Sequence, residues 1–341
     1  MTQFTVYVSN DLRVPDRDYD MGLGALYGAD DIEVEFLTTQ NHDVLRSEDL
    51  AGANALVAIQ QHVTPETLDG LDDLKLVSAF GAGLDHIDIG ACTERGIAVV
   101  NAPQPVGRAV AQSTLGMLIT CASNAIELDN HLRTDGFANR ISLMGHTLYG
   151  KTVGTVGMGM IGSNVVDLLE PFDVEILTHD PYLSEERADE LGVTLVDLDT
   201  LLAESDFVSL HCPLTEETKG MLGTEQFKQM KESAYLVNTT RGGLYADAEL
   251  AEAVEEGWIA GAAVDVFEDE PNVAGNPLLD LDDCLMTPHM AGVLIETMTE
   301  QGEIVSEAIL ARLHDEVPAN LVNPDVYAEP VDEALLSPSH R

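Results

Sequence analysis

Arg241, Glu270 and His289 are the residues of this chain whose side chains together could move a proton and hold a carboxylate. They lie in NTTRGG, DVFEDEP and TPHMAG, and each segment follows or ends an apolar run that predicts a β-strand. Histidine exchanges protons near neutral pH, and arginine binds a carboxylate through paired hydrogen bonds. A glutamate beside the imidazole would orient the ring and stabilise its protonated form. The three segments indicate acid–base chemistry on a carboxylate-bearing substrate.

Each of the three residues taken alone also has a structural interpretation. Arg241 could be an ion-pair partner in an acidic protein, Glu270 one more solvated acid, and His289 a loop histidine. All three, however, come at or after the ends of predicted strands of an α/β sheet. Ligands of open α/β sheets bind beyond the carboxyl ends of the strands, and this common position favours the catalytic interpretation.

A glycine pattern, G-x-G-x-x-G, lies between an apolar strand and a helical stretch in TVGTVGMGMIG. Gly157 is expected to make the tight turn, Gly159 to admit a pyrophosphate, and Gly162 to let the helix pack closely on the strand. The backbone N–H groups of Met160 and Ile161 would then face the phosphates at the helix N-terminus. This context predicts a dinucleotide-binding domain, and the alternative is an ordinary glycine turn.

Asp180 ends the next predicted strand, about 20 residues further on, where a carboxylate binds the adenosine ribose hydroxyls. A carboxylate repels a 2′-phosphate and therefore favours NAD(H). Because molar salt weakens that repulsion and His179 stands beside Asp180, the use of NADP(H) as well stays open.

The elements that position these residues are two series of short apolar runs. Strands are predicted at 4–9, 32–38, 54–59, 74–81 and 97–103, and six more at 151–159, 174–180, 207–213, 234–240, 261–267 and 284–289. Helical patterns separate them, including one from about residue 106 to 133 and a last one at 295–316. Strands that alternate with helices predict an α/β fold with parallel sheets. The tail, 329–341, is expected to be peripheral.

Two parallel-sheet domains are therefore expected, and the glycine pattern makes the second a Rossmann dinucleotide-binding domain. Its predicted range is 105–296. Residues 1–104 together with 297–341 are expected to form a flavodoxin-like substrate domain, with a cleft between the two.

The charge of the chain is extreme, with 60 acidic against 16 basic residues and a formal net charge of −44. Such self-repulsion destabilises a folded protein in dilute buffer, whereas at molar salt the Debye length falls to about 3 Å. The surface is thus typical of a protein in a salt-loaded cytoplasm, surrounded by salt ions. The same charge argues against a nucleic-acid partner, because phosphate backbones require cationic patches.

The cysteines and the hydropathy narrow the class further. Cys92, Cys121, Cys212 and Cys284 show neither C-x-x-C spacing nor nearby histidine pairs, which favours reduced thiols over disulfides or a metal site. No apolar run reaches the roughly 18 residues of a membrane span, and the N-terminus lacks a secretory signal. A cytoplasmic protein is expected.

The chain resembles the D-2-hydroxyacid dehydrogenases from about residue 50 to residue 326. The resemblance rests on several ordered motifs: GAGLDHIDI (81–89), GIAVVNAP (96–103), GMGMIG, HDPY (179–182), HCPLTEETKGML (211–222), LVNTTRGGLYAD (236–247), GAAVDVFEDEP (261–271), TPHMAG and PANLVNP (318–324). It implies that Arg241, Glu270 and His289 are the catalytic residues. It also implies that Gly81, Ala82 and Gly83 receive the substrate carboxylate through backbone N–H groups, with Arg241 and His289 also contacting the substrate.

The resemblance also implies cofactor contacts beyond the glycine loop and Asp180. Asp265 is expected near the nicotinamide amide, and the other contacts are expected from His179, Cys212, Pro213, Thr218, Thr239, His289 and Gly292. The implied reaction is the reversible reduction of a 2-keto acid to an (R)-2-hydroxy acid by hydride transfer from NAD(P)H. The implied assembly is a homodimer through the cofactor domain, with 122–149 as the candidate arm.

One departure and two alternatives accompany this prediction. Gln112 and Ser113 stand where related proteins often carry Glu-His, which affects contacts at the start of the long helix. Glu270, where formate-oxidising relatives generally have glutamine, favours a hydroxyacid substrate. The alternatives are a 3-phosphoglycerate dehydrogenase-like enzyme and a non-catalytic NAD-binding sensor or corepressor.

Overall fold

The computed structural model describes residues 3–13 and 20–338 of the chain. These residues divide into two compact units. Unit 1 comprises Met1–Val106 and Val293–Arg341, and unit 2 comprises Gly107–Gly292.

Each unit is built on one parallel sheet. The described strands of unit 1 are β1 (Phe4–Val8), β2 (Ile32–Phe36), β3 (Ala55–Ala58), β4 (Leu76–Ala79) and β5 (Ala98–Val100), in the order β2-β1-β3-β4-β5. Those of unit 2 are β6 (Thr152–Val156), β7 (Glu175–His179), β8 (Thr194–Leu195), β9 (Phe207–Leu210), β10 (Tyr235–Asn238), β11 (Gly261–Val264) and β12 (Cys284–Met286), in the order β12-β11-β10-β9-β6-β7-β8. The order reverses between β6 and β9, which is where α/β sheets bind ligands.

Helices connect the strands. In the described residues they are α1 (Gly24–Tyr27), α2 (Ile89–Glu94), α3 (Pro103–Ala122), α4 (Ala125–Thr134), α5 (Met160–Leu169), α6 (Glu185–Leu191), α7 (Leu198–Glu204), α8 (Thr224–Gln229), α9 (Asp247–Glu255) and α10 (Ile295–Leu313). No single described helix is long and apolar enough to cross a membrane, and only the pair α3 and α4, bent by 55°, passes that test of length and composition.

The central strands, such as β3, β4, β9 and β11, are buried on both faces because layers cover both sides of each sheet. In unit 1, Leu76 and Phe80 pack in one cluster with Met298 and Val305 of α10, whereas Val77 packs in the cluster on the opposite face. Alternation along β4 produces this division. Central strands of such sheets read as continuous apolar runs, which is why the sequence predicted them.

Three expectations are corrected by the structure. Unit 2 has a seventh strand, β8, whose two residues are too few for an apolar run. The helix expected from about 106 to 133 is two helices, because Asn124 adopts a left-handed backbone with φ 56° between α3 and α4. The tail expected to be peripheral is anchored at Ser337, which is fully buried and donates to the Asn101 carboxamide oxygen at 2.6 Å.

Candidate active site

His289 and Glu270 form a direct pair in unit 2. Nδ1 of His289 lies 2.7 Å from Oε2 of Glu270. The side chain of the histidine is 36% exposed and that of the glutamate 18%, so the pair is accessible yet partly shielded from water. The other carboxylate oxygen, Oε1, accepts the N–H of Phe267 at 2.8 Å. Glu270 is thus fixed at both oxygens and sets the orientation of the imidazole.

The turn that carries His289 is built around Asp265, which follows β11. One oxygen of this 99%-buried carboxylate accepts Thr287 Oγ1 at 2.5 Å and Met290 N at 2.7 Å, and the other accepts Ala291 N at 2.8 Å. The carbonyl of Asp265 also accepts the N–H of His289 at 2.7 Å. His289 has a left-handed backbone with φ 54°, a conformation that persists only where its surroundings hold it. Asp265, the expected nicotinamide contact, therefore also holds the histidine turn.

Arg241 begins the loop after β10, and Asn238 shapes that loop. Nδ2 of Asn238 donates to the carbonyl of Arg241 at 2.8 Å, and its Oδ1 accepts the N–H of Thr240 at 3.0 Å. A Cβ on Gly242 would lie 2.0 Å from the carbonyl carbon of Phe267, so only glycine permits this close approach. The loop of Arg241 consequently packs against the loop that leads to Glu270.

Asp247 joins this arrangement from the start of α9. Its carboxylate accepts the N–H of Glu268 at 3.1 Å, and its own N–H donates to a Glu268 carboxylate oxygen at 3.4 Å. Burial is the largest cause that raises the pKa of Asp247, and the neighbouring charges of Glu268 and Glu270 add to it. Sequence reasoning missed Asp247 and Asn238, although both lie within the segment LVNTTRGGLYAD that carries Arg241.

The glycine loop has the geometry that a dinucleotide requires. A Cβ on Gly157 would lie 2.7 Å from the backbone nitrogen of Cys212, and one on Gly162 would lie 2.6 Å from the carbonyl oxygen of Gly157, whereas one on Gly159 would meet open space. The N–H groups of Gly159, Met160 and Gly162 make no hydrogen bond within the described chain. The N–H of Ile161 likewise makes no hydrogen bond within the described chain. Unpaired N–H groups at the start of a ten-residue helix fit a phosphate.

Asp180 also holds the glycine loop. One of its oxygens accepts Met158 N at 2.8 Å and the other accepts Tyr182 N at 2.8 Å. The adjacent His179 has Nδ1 at 3.2 Å from the carbonyl of Val196. The partly exposed carboxylate therefore stands directly beside the glycine turn, where the ribose of a dinucleotide binds.

Several expected cofactor contacts use their side chains internally. Thr218 donates from its hydroxyl to the carbonyl of Pro213 at 2.7 Å, and Thr239 pairs with the hydroxyl of Thr114 at 2.9 Å. Burial raises the pKa of the Cys212 thiol to about 11, so the thiol stays neutral. Around Cys212, Pro213, Thr218 and Thr239, the backbone is therefore the part suited to binding a cofactor. Gly292, another expected cofactor contact, is the last residue of unit 2.

The expected substrate loop lies in unit 1, directly after β4. The carbonyl of Gly81 accepts Ala102 N at 2.8 Å, and the carbonyl of Ala82 accepts the Asn101 side chain at 3.1 Å. The N–H groups of Gly81, Ala82 and Gly83 make no hydrogen bond to any described residue. Because hydrogen bonds hold its carbonyl groups in place and its N–H groups are unpaired, this loop is suited to binding an anion.

Comparison with known proteins gives the class of this chain. Residues 115–291 match the family described as D-isomer specific 2-hydroxyacid dehydrogenase, NAD binding domain. The chain is 39% identical over 283 residues to a glyoxylate reductase of Korarchaeum cryptofilum, covering 82% of this chain and 85% of that protein. It is 37% identical over 308 residues to a D-3-phosphoglycerate dehydrogenase of Archaeoglobus fulgidus, covering 90% of this chain but only 58% of the relative.

Solved structures agree with the sequence relatives. The apo-structure of D-lactate dehydrogenase from Escherichia coli superposes with a TM-score of 0.79 at 30% identity, covering 94% of this chain and 100% of that chain. The chain belongs to the D-isomer specific 2-hydroxyacid dehydrogenases, which are NAD-dependent oxidoreductases that act on CH–OH groups. The predicted family, the α/β class with two parallel-sheet units and the NAD(H) cofactor are thereby confirmed.

Proposed function

We propose that Arg241, Glu270 and His289 catalyse the reversible reduction of a 2-keto acid to the (R)-2-hydroxy acid. The observation that carries the proposal is the 2.7 Å contact between Glu270 and His289, on a turn held in place by the buried Asp265. A carboxylate–imidazole pair of this kind is what general acid–base catalysis needs. Arg241, whose loop packs against the Glu270 loop, supplies the cation for the substrate.

In the reduction, protonated His289 donates its proton to the carbonyl oxygen of the substrate, and Glu270 stabilises the imidazolium before the transfer. NADH, which the glycine loop and Asp180 would hold, would supply the hydride for the carbonyl carbon, and NAD⁺ would accept it in the oxidation. Arg241 polarises the carbonyl and, with the N–H groups of Gly81, Ala82 and Gly83, binds the carboxylate. In the oxidation, neutral His289 removes the hydroxyl proton. Acid–base catalysis of this type accelerates a reaction roughly 10²–10⁴-fold.

The test is NADH oxidation by the purified protein in molar KCl across pyruvate, 2-oxobutanoate, 2-oxohexanoate, glyoxylate, hydroxypyruvate and 3-phosphohydroxypyruvate. We expect turnover with at least one unphosphorylated 2-keto acid. His289→Gln should lower kcat by at least about 10²-fold with NADH affinity unchanged, whereas His314→Gln, an exposed histidine after α10, should leave kcat unchanged. Wild-type activity in His289→Gln would refute the assignment.

Two outcomes of this test favour the alternatives. Turnover of 3-phosphohydroxypyruvate and of no other compound in the panel would favour the 3-phosphoglycerate dehydrogenase-like enzyme. NADH binding without turnover across the whole panel would favour a sensor or corepressor.

We further propose that the enzyme uses NADPH as well as NADH at high salt. The support is that Asp180 is partly exposed and next to His179, so that screening reduces its repulsion of a 2′-phosphate. Michaelis constants for both coenzymes, measured at low and at molar KCl, test this. The NADPH constant should fall towards the NADH constant as salt rises. A preference for NADH that does not change with salt would contradict it.

We propose that the protein works in a salt-rich cytoplasm, on the strength of its net charge of −44. Screening of this charge stabilises the folded state. The melting temperature should rise steeply between dilute buffer and molar KCl, and an equal rise in molar sorbitol would contradict the electrostatic explanation.

We propose that a second copy of the chain covers the segment 122–149. The support is its apolar surface: in α4, all of which the structure describes, no residue is buried. The side chains that project from the segment include Leu132, Phe137, Ile141 and Met144, at 54%, 74%, 65% and 73% exposure. Exposed apolar groups concentrated in one segment indicate an interface.

Light scattering in molar KCl tests the homodimer. Phe137→Asp with Ile141→Asp should shift the mass to a monomer, because two carboxylates would be buried without partners. Tyr182→Asp, at another exposed aromatic residue of unit 2, is the matched control and should stay dimeric. A wild-type monomer, or a doubly substituted dimer, would refute this proposal.

A further inference from the structure

Gln301 is a polar residue on the buried face of α10, the helix that packs on the sheet of unit 1. Met298 and Val305 of this face belong to the same apolar cluster as Leu76 and Phe80. Gln301 lies three residues after Met298 and four before Val305, so it shares their face. It is 3% exposed. A long polar side chain at such a position requires an explanation, since buried polar groups are normally hydrogen-bonded.

The side chain of Gln301 makes no hydrogen bond to the described residues of the chain. Ser306, on the same helix, is also buried but donates to the carbonyl of Gly22 at 3.2 Å. Gln301 is therefore unlike its buried polar neighbour, because the fold itself does not use its amide. Its amide atoms are not among the fully buried unpartnered atoms of the described side chains, so a molecule outside the chain can reach the amide and form a hydrogen bond with it.

The amide lies beside the anion-binding loop. Its Nε2 atom is 3.9 Å from the position of a Cβ on Gly81. Gly81 is the first residue of the loop Gly81, Ala82 and Gly83, whose N–H groups make no hydrogen bond to any described residue. The surrounding segment 76–94 contains neither lysine nor arginine, so neutral N–H donors are what it offers to an anion. Nε2 would add two donors to those of the loop.

We propose that Gln301 is a specificity-determining residue whose Nε2 donates a hydrogen bond to the substrate carboxylate held by the N–H groups of Gly81, Ala82 and Gly83. This inference rests on the proposed function and names the group that unit 1 recognises. The donor selects a carboxylate over an uncharged ester, because a hydrogen bond to a charged acceptor is about twice as strong as one to a neutral acceptor. Because the amide is neutral, it can bind the carboxylate without placing a lysine or arginine charge in the buried core of unit 1.

The variants are Gln301→Met, which keeps the length and removes the donor, and Gln301→Glu, which replaces the donor with a negative charge. Ser306→Ala is the matched control, because it removes a buried hydrogen bond from the same helix away from the loop. Each protein is assayed in molar KCl with the best 2-keto acid of the panel and with the methyl ester of that acid. Melting temperatures are measured in parallel.

We expect Gln301→Met to raise KM for the 2-keto acid about 10- to 100-fold, the factor that a charged hydrogen bond is worth, with kcat nearly unchanged. Gln301→Glu should raise KM further. Turnover of the methyl ester should change little in Gln301→Met, and Ser306→Ala should lower the melting temperature without changing KM. An unchanged KM in Gln301→Met, or an equal loss for acid and ester, would overturn the inference.

The wild-type assay separates failure of this inference from failure of the proposed function. A wild type that turns over a 2-keto acid while Gln301→Met keeps its KM refutes only the role of Gln301. If the wild type has no turnover, calorimetric binding of oxamate in the presence of NADH replaces the assay. Equal oxamate affinities in wild type and Gln301→Met would then refute the carboxylate contact, and weaker binding in the variant would support it.

Discussion

Glu270 holds the Nδ1 atom of His289 at 2.7 Å with one carboxylate oxygen and the N–H of Phe267 at 2.8 Å with the other. The glutamate is therefore tied to its own loop and to the histidine turn at the same time. This double attachment sets the imidazole plane before any substrate arrives, and pre-set geometry is a large part of what an enzyme contributes to the rate.

Substitution Glu270→Gln should lower kcat about 10²-fold. The amide keeps the acceptor for Phe267 N but has no charge with which to stabilise the imidazolium. Steady-state turnover at saturating substrate measures the effect. Asp269→Asn, at the exposed neighbouring acid, is the control and should behave as wild type. Equal losses in both variants would mean that loop charge in general, and not the pair with His289, sets the rate.

Substitution Asp265→Asn should lower both stability and turnover. The carboxylate accepts hydrogen bonds from Thr287, Met290 and Ala291, and an amide group would face at least one of these donors with its own N–H. The free energy of unfolding should fall by about 1–3 kcal/mol, measured by urea titration. Turnover at a temperature where the variant is fully folded should also fall, because the turn of His289 loosens. A destabilised variant with wild-type kcat would separate Asp265 from catalysis.

Substitution by alanine at Gly159 should affect NADH binding, whereas substitution by alanine at Gly162 should affect stability. A Cβ on Gly159 meets nothing within 4 Å, whereas one on Gly162 would lie 2.6 Å from the carbonyl oxygen of Gly157. Gly159→Ala should keep the melting temperature and weaken NADH binding at least about 10-fold, because the methyl group occupies the path of the pyrophosphate. Gly162→Ala should lower the melting temperature. Tight NADH binding by Gly159→Ala would contradict the assignment of this loop.

Stability should fall between about pH 7 and about pH 5 in part because of His211. Burial lowers its pKa from 6.5 to about 4. The folded state thus holds the neutral ring, while the unfolded chain takes up a proton as the pH falls below 6.5. The contribution of this residue is complete above pH 6.5 and is lost as the pH falls towards 4.

Urea titrations in molar KCl at both pH values measure this loss. His211 should account for about 2 kcal/mol of the difference, which His211→Asn should lack. Parallel losses in wild type and variant would show that other groups are responsible.

The sequence predicted much of the sheet framework and the candidate site because both depend on local patterns. Buried strands read as apolar runs, and the spacing of Gly157, Gly159 and Gly162 repeats what a pyrophosphate demands of a backbone. Strand β8 and the break at Asn124 were missed for the same reason. Two residues have no detectable period, and a left-handed backbone at one asparagine leaves the helical pattern around it intact.

The roles of Asp247 and Gln301 could not be read from the sequence. In a chain with 60 acids, one more aspartate at the start of a helix resembles an ordinary N-terminal charge. Only the fold places its carboxylate on the backbone of Glu268. Gln301 likewise resembles a surface residue until packing turns it inward beside Gly81.

The sequence by itself determined which chemistry this protein can perform, because the acid, the base, the cation and the glycine turn are residue types at recognisable spacings. Only the tertiary structure decided which of these groups meet. The strand order β12-β11-β10 places the loops of His289, Glu270 and Arg241 side by side at the carboxyl ends of these parallel strands. The 2.7 Å contact between two side chains 19 residues apart depends on that order and on the turn that Asp265 holds, neither of which is a local property of the chain.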